Sequence, residues 1–468
     1  MRTRGNDSAS GTRMRVVALF AAIAATVCVL ATPAVGQVTK AQPKATDVGV
    51  TPSEIHIALI ADVDNPLVPG LFAGSRDAAF AFAKYINGSC AAKNKCLAGR
   101  KLVVDFYDPH LNVSETRKDE ILACANDLAM VGTSAVVLES VEDMRNCKDQ
   151  AGATTGIPDI PFLAGPLVQQ CSDESFPMIP IGIRCATKDQ HPQTYDSNVA
   201  RGVYFLKKYG ALHGIYLFSS DSKDGYDDEF VGDGGLRDIG GVGRGIRSDG
   251  DFAVSAGAIQ SAFTPFVQAM KTKGSNYAQC AQPEVCTVEL RKEAVLQSAT
   301  EQVKVWDCSN CYDKKFLQAG GADVEHEYVE AASLPFYDAR EQKANPMLAT
   351  FVRYTGQDKI DGAGIFAWAA AVAFRDAVNA DVKAHGVNGL TRANLLAALN
   401  GIHNFDAGGM IAPHDFAGRK ISDCEVLMQV RNGRFVRVQP TKPGTFDCNP
   451  KYVITRKLDL TVGGPGPQ

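Results

Sequence analysis

The 468-residue sequence has little of what covalent chemistry needs. Histidine is sparse, with eight scattered residues and no His-Glu-x-x-His pair to hold a catalytic zinc. No Gly-x-Ser-x-Gly elbow is present, which argues against hydrolases built on that turn. The glycine-rich stretch GDGGLRDIGGVGRG (232–245) lacks the Lys-Ser/Thr of a phosphate loop and reads as helix termination and turns. A basic excess is missing as well. The formal charge is −4, and it becomes −7 without residues 1–36, which carry four Arg and one Asp. Nothing in that balance points to nucleic acid or to an anionic membrane surface as a partner. After Leu30 no apolar run approaches the length that spans a bilayer.

The N-terminus is the exception. Arg2, Arg4, Arg13 and Arg15 precede VVALFAAIAATVCVL (Val16–Leu30), and ATPAVGQ follows with small residues at Ala34 and Gly36. A basic start, an apolar core and a small-residue exit predict a secretory signal over residues 1–36 and a polar leader over 37–49. An uncleaved anchor is the second option. Val27 is bulky where a lipoprotein box needs a small residue, which argues against lipid attachment at Cys28. The expected location is extracytoplasmic, at the cell envelope, either soluble or tethered.

Twelve of the thirteen cysteines follow Cys28, an even number that in an exported chain predicts disulfides. Loop-closure cost favours neighbours: Cys90–Cys96, Cys124–Cys147, Cys171–Cys185, Cys280–Cys286, Cys424–Cys448 and, by remainder, Cys308–Cys311. A set in which Cys311 reaches Cys280 or Cys286 competes closely. The segment VWDCSNCYDKKF (305–316) admits two further readings, a redox dithiol and half of a zinc site. The dithiol reading lacks a compact thioredoxin-like unit around it. The zinc reading lacks a second ligand pair, since His326 stands alone.

About 430 residues beyond the leader exceed what one core usually serves, so two domains are expected. Short apolar runs alternate with helical patterns. Strands are predicted at Glu54–Ala61, Arg100–Asp108, Ser134–Ser140 and Ile160–Ala164, with helices between them; the helix after the second strand is capped by Ser114. A second series follows. It places a strand at Phe176–Ile183, a helix over 192–210, and strands at LHGIYLFSS, FAVSAGA, SNYAQC, QVKVW and EHEYVEA. Long helices are expected at Tyr337–Tyr354 and Gly362–Ala380, a third at Thr391–Asn400, and a C-terminal hairpin turning at Asn432–Gly433. The pattern is α/β, with parallel sheets covered by helices. The tail 456–468 is expected to be flexible.

Several segments in order resemble one family. GVTPSEIHIALIA followed by GRKLVVDFYD, then FTPFVQAMKTKGSNY, AGGADVEHEYVEAASLPF, FDAGGMIAP and PGTFDC, are similar to the type I periplasmic binding proteins. Within these they resemble the branched-chain amino acid (Leu/Ile/Val) substrate-binding proteins of ABC transporters, of the actinobacterial type. The resemblance implies two Rossmann-like lobes with parallel central sheets joined by three crossovers. Lobe 1 would hold 50–172 and 337–406, and lobe 2 would hold 175–333 and 409–455. It also implies a small-molecule ligand, a membrane permease as partner, no cofactor and no enzymatic activity.

Ligands of open α/β sheets bind beyond the carboxyl ends of the strands. The loops there offer Asp62, Glu139, Ser140, Ala164, Gly165, Tyr226, Gln282 and Asp307 as candidate ligand contacts, with Trp368 on the helix after the last crossover. In amino-acid-binding members a Ser and an Ala-Thr pair hold the ligand carboxylate, and an acidic residue meets the ammonium. Ser140 matches the Ser and Asp307 stands near the acidic position. Gly165 replaces the Thr, and Glu139 places a carboxylate where the ligand's own would sit. Both departures weaken the amino-acid reading. Plainer roles compete: Asp307 and Ser140 as helix caps, and Trp368 as core.

The leading expectation is an exported receptor that captures a small polar solute and delivers it to a permease. A sensor of the same fold and a thiol–disulfide oxidoreductase using Cys308 and Cys311 are the alternatives. The receptor expectation places Ser140 and Asp307 in one shared crevice, and a fold in which they point away from any shared crevice counts against it.

Overall fold

The computed structural model describes residues 42–460, apart from 66–67, 91–95, 139, 164–166, 221–228, 256 and 281–282. The expected signal, residues 37–41 of the expected leader and residues 461–468 of the tail lie outside the described residues, as do Glu139, Ala164, Gly165, Tyr226 and Gln282.

The first sheet is small and wholly parallel. It holds β1 (Glu54–Ile60), β2 (Lys101–Tyr107), β3 (Ala129–Val131) and β4 (Asp159–Ile160) in the order β2-β1-β3-β4. β1 is buried almost throughout, as a strand covered on both faces must be. The helices Ala73–Gly88 and Gly362–His385 cover one face, packing closely on one another. The helix Val113–Asn126 covers the other, its first turn capped by the Asn112 side chain, which accepts from the N–H groups of Ser114 and Glu115. The cap is therefore Asn112 and not Ser114. The third strand also lies earlier than expected. Leu128 to Val131 leave the helix directly into β3, and among the described residues of Ser134–Ser140 only Ser134 makes a bridge, to Ala61.

The chain then crosses over. Residues 176–183 form isolated bridges at Ile179 and Ile183 rather than the expected strand. The expected helix over 192–210 begins as β5 (Gln193–Asn198) and becomes helical only at Ala200–Tyr209. The second sheet follows with β6 (His213–Ser219), β7 (Arg247–Val254), β8 (Tyr277–Cys280), β9 (Val305–Cys308) and β10 (Tyr328–Ala331). The helices Thr264–Lys273, Glu289–Leu296 and Lys314–Gly320 lie between its later strands. The first long helix expected near 337–354 is broken into Ala339–Ala344 and Pro346–Thr355, because Asn345 caps the second piece and Pro346 opens it.

A two-stranded pair, β11 (Asn404–Phe405) with β12 (His414–Asp415), leads back to the second sheet. There β13 (Cys424–Arg431) lies antiparallel to β10, and β14 (Arg434–Gln439) returns beside it through the Asn432–Gly433 turn, both residues at positive φ. β15 (Asp447–Cys448) pairs with the start of β13, and β16 (Val453–Leu458) forms a ribbon with β5. The order β14-β13-β10-β9-β8-β6-β7 is parallel from β10 to β7. Two of the chain's passages between the sheets run side by side, with Leu334 donating to Met410 and Ala412 donating to Ala332.

The apolar core is divided. One cluster runs from the helix Gly362–His385 through Leu334 and Phe336 to Phe316 of the helix Lys314–Gly320 and Val329 of the second sheet. Separate clusters fill the other faces, around Met130 and Met144 in the first sheet and around Phe205 with Tyr216, or Ile215 with Trp306, in the second. Six disulfides join sequence neighbours: Cys90–Cys96, Cys124–Cys147, Cys171–Cys185, Cys280–Cys286, Cys308–Cys311 and Cys424–Cys448. Cys308 and Cys311 are wholly buried and bonded to one another, which leaves no thiolate for zinc.

Candidate functional site

A cavity of about 260 Å³ lies between the two sheets, where the passages meet the strand ends. Phe162 and Leu163, just after β4, and Phe366 of the long helix line one side. Ile179–Ile181, Ala331–Ala332 and Ala412 close it along the passages. The opposite side is polar and belongs to the second sheet and the segments packed on it: Arg201, Asp233, Ser309, Glu330 and Glu425.

Arg201 organises that wall. It stands in the first turn of the helix Ala200–Tyr209, four residues before buried Phe205, so both project to the inner face. The helix can press close because residue 202 is glycine. A Cβ there would fall 2.5 Å from Ile239 and 2.8 Å from Leu236, in and beside the turn that carries Asp233. The guanidinium donates through Nε to Asp307 at 2.9 Å, through Nη1 to Glu330 at 2.7 Å and through Nη2 to Asp233. Tyr277 donates its hydroxyl to Asp307 at 2.8 Å, Gln279 donates to Asp233, and Ser309 donates to Asp233 at 3.3 Å. Burial opposes the charge of Arg201, but Asp307 and Glu330 outweigh it and hold the guanidinium well above its ordinary value.

Carboxylates outnumber cations here. Glu330 on β10 stands opposite Leu427 on β13, so Glu425, two residues along, shares its face of the sheet. Glu425 is only 6% exposed, and its Oε2 has no hydrogen-bond partner. Burial first, and then the charge of Glu330, pushes its carboxyl far above the usual range. Glu330 is raised by burial against the pull of Arg201. Asp196, also on the cavity wall, is separately neutralised by the fork of Arg184 at 2.7 and 2.9 Å. The facing side is apolar, with the rings of Phe162 and Phe366 stacked at 5.7 Å.

The candidates read from sequence are redistributed by this geometry. Asp307 is fully buried and meets Arg201 rather than the cavity, so it acts behind the wall. Asp62 is buried as well. It accepts the N–H of Leu111 at 2.6 Å and of Val136 at 2.8 Å, clamping together the loops after β1, β2 and β3 instead of facing a ligand. Trp368 is core: it meets Phe82 edge-on at 5.0 Å and stacks on Tyr85 at 5.7 Å, and its near neighbour Phe366 reaches the cavity instead. Ser140 accepts from the N–H of Glu142 at 3.2 Å and borders a different hollow, with Thr116 and Glu120. Ser140 and Asp307 therefore share no crevice, and the crevice that exists is built from other residues. The sequence signal for these was a lone Arg on an apolar helix face and single carboxylates inside the apolar strands YVEA and CEVLMQV.

Among the described residues one group of metal-ligating side chains converges. Ligand atoms of His56, Asp105 and Asp127 lie within 4.8 Å of one another, outside the cavity wall. His56 and Asp105 pair directly at 2.7 Å.

No family model matches the sequence, and no curated protein sequence does. Solved structures do match, at low identity. A fatty acid ABC transporter substrate-binding protein from Thermomonospora curvata superposes with a TM-score of 0.60 at 15% identity, over 88% of this chain and 96% of that one. The leucine-binding protein LivK from Thermotoga maritima gives 0.60 at 14% identity, over 85% and 99%. LivJ from Streptococcus pneumoniae, in complex with isoleucine, gives 0.58 at 14%, over 83% and 100%. Two sheets, the first parallel and the second parallel from β10 to β7, with a cavity between them and superposing over nearly the whole of these proteins, give this chain the type I periplasmic-binding-protein fold.

Proposed function

We propose that this protein is an exported solute receptor that binds a small polar ligand between two lobes and delivers it to an ABC-type permease. The observation that carries the reading is the cavity itself. It lies between the two sheets, at strand ends and beside the passages that join them, with an apolar side and a charged side. Crevices at the carboxyl ends of parallel strands are where α/β proteins hold ligands, and passages beside such a crevice can serve as hinges. The lobes proposed are residues 50–172 with 337–406 and residues 175–333 with 409–455. Six disulfides are what an oxidising, extracytoplasmic setting permits. The similar structures are substrate-binding proteins of transporters, which supports capture rather than catalysis. A thiol–disulfide oxidoreductase is disfavoured, because Cys308 and Cys311 are sealed in the core and exchange needs an attacking thiolate to reach the sulfur.

The test is a thermal-shift screen of residues 37–468 against amino acids, amides, amines and organic acids. A ligand of the folded form raises the melting temperature with concentration. A set of that breadth without a single saturable shift would count against the receptor reading.

A further inference from the structure

The charge of the cavity wall narrows the ligand class. Among the described residues that line the cavity, Arg201 is the only Lys or Arg, and its three nitrogen positions are already taken by Asp233, Asp307 and Glu330. Among the described residues, a ligand carboxylate arriving here meets no uncommitted Lys or Arg. It meets Glu330 and Glu425, side by side on one face of the sheet and hydrogen-bonded to one another, with Glu425 Oε2 buried and without a further partner. A buried acceptor of that kind is costly unless something supplies a donor. Two adjoining carboxyls also repel unless a proton or a cation lies between them. The rest of the wall, Phe162 stacked on Phe366 with Ile179 and Ile181, accepts an apolar body.

Resting on the receptor reading, we infer that the solute is a cation without a carboxylate. Its ammonium, amidinium or guanidinium group is held by the Glu330–Glu425 pair and its hydrocarbon portion lies against Phe162 and Phe366. This differs from capture of an amino acid, whose carboxylate would be repelled by the same wall. The groups facing Glu425 are Glu330 on β10, Arg201 on its helix, Asp307 on β9 and Tyr452 beside β16, and none of them supplies a second positive charge near Oε2.

The experiment compares matched probes on the residue 37–468 protein by thermal shift and calorimetry: pentylamine, benzylamine and agmatine, with pentanol, pentanoate and leucine as controls. The amines are expected to bind and the controls to bind at least tenfold more weakly. Glu425→Gln and Glu330→Gln keep the shape and remove the charge, and each is expected to weaken the amines tenfold or more. Glu425→Gln should at the same time raise the melting temperature of the empty protein, because it relieves the crowded carboxyls. A purely structural carboxyl would not give that opposite pair of effects. Leucine or pentanoate binding more tightly than the amines, or amine affinity unchanged in both Gln variants, would overturn the cation assignment and leave the receptor standing. Absence of binding by every compound here and in the wider screen would overturn both.

Discussion

Arg201 Nη1 lies 2.7 Å from Glu330 while its Nε lies 2.9 Å from Asp307, so a single guanidinium ties one helix to the neighbouring strands β10 and β9. Removing one partner of a buried ion pair costs about 3–5 kcal/mol, because the other partner is left charged and dry. Arg201→Met is therefore expected to lower unfolding free energy by that order, read as a drop in the urea midpoint. Arg201→Lys keeps the charge but not the fork, and should fall between the two. A midpoint equal to that of the unaltered protein in Arg201→Met would contradict the pairing.

Trp368 and Phe366 sit two residues apart on one helix and should behave differently. Trp368 fills the core among Phe82, Tyr85 and Phe351, so Trp368→Ala is expected to cost about 3–5 kcal/mol. Phe366 lines the cavity while stacking on Phe162, so Phe366→Leu should lower the melting temperature less than Trp368→Ala does and weaken whichever solute the screen identifies. Ser140→Ala serves as the contrast: it borders another hollow and should leave affinity unaltered.

These contrasts follow from what can be read locally. β1, β2, β6 and β8–β10 are short apolar runs bounded by turns, and the Asn-Gly hairpin carries its own backbone signal, so both were legible. β5 was not. QTYDSN alternates and is polar, and its partner β16 lies more than 250 residues away, so nothing local separates it from the start of the following helix. Broad features of the site, two strand edges and a crevice, follow from topology. Its chemistry does not, because Asp233, Asp307 and Glu330 come from three separate segments that converge on Arg201, a residue of a fourth. Asp307 was found for its position after a strand, yet its carboxylate points to that arginine.

Reduction of the disulfides should follow exposure. Cys448 is exposed, whereas Cys308 and Cys311 are wholly buried. Mild dithiothreitol on the folded protein, followed by alkylation and peptide mapping, should label Cys424 and Cys448 early and Cys308 and Cys311 last. Early labelling of Cys308 and Cys311 would revive the oxidoreductase alternative.

Closure is expected to accompany binding. With the cavity placed beside the passages between the sheets, a bound solute gains contacts with both sides only when they approach. Small-angle scattering should show a smaller radius of gyration at saturation with the solute that the screen identifies. An identical profile would mean that the cavity binds without a hinge.

Buried carboxyls set the response of stability to pH. Glu120 is pushed up to about 8 by burial and then by the charges of Asp159 and Asp143, and Asp127 is pushed up to about 8 by burial and then by Asp105. In the unfolded chain such groups titrate near 4, so between pH 4 and 8 the folded state holds protons that the unfolded state has released. Their stabilising contribution is complete below about pH 4 and is lost as pH rises toward 8. Asp338 acts in the opposite sense. The side chain of Arg340 lowers its carboxyl, so its contribution fades as pH falls through that depressed value. The melting temperature should therefore peak in mildly acidic solution and decline toward pH 8. Glu120 has a buried, unpartnered Oε1 and borders the second hollow rather than the cleft. Glu120→Gln supplies a neutral side chain of the same shape, so it should melt higher than the unaltered protein at pH 8 and close to it at pH 5. A gain of equal size at both values would mean that the effect is packing and not the ionisation of this carboxyl.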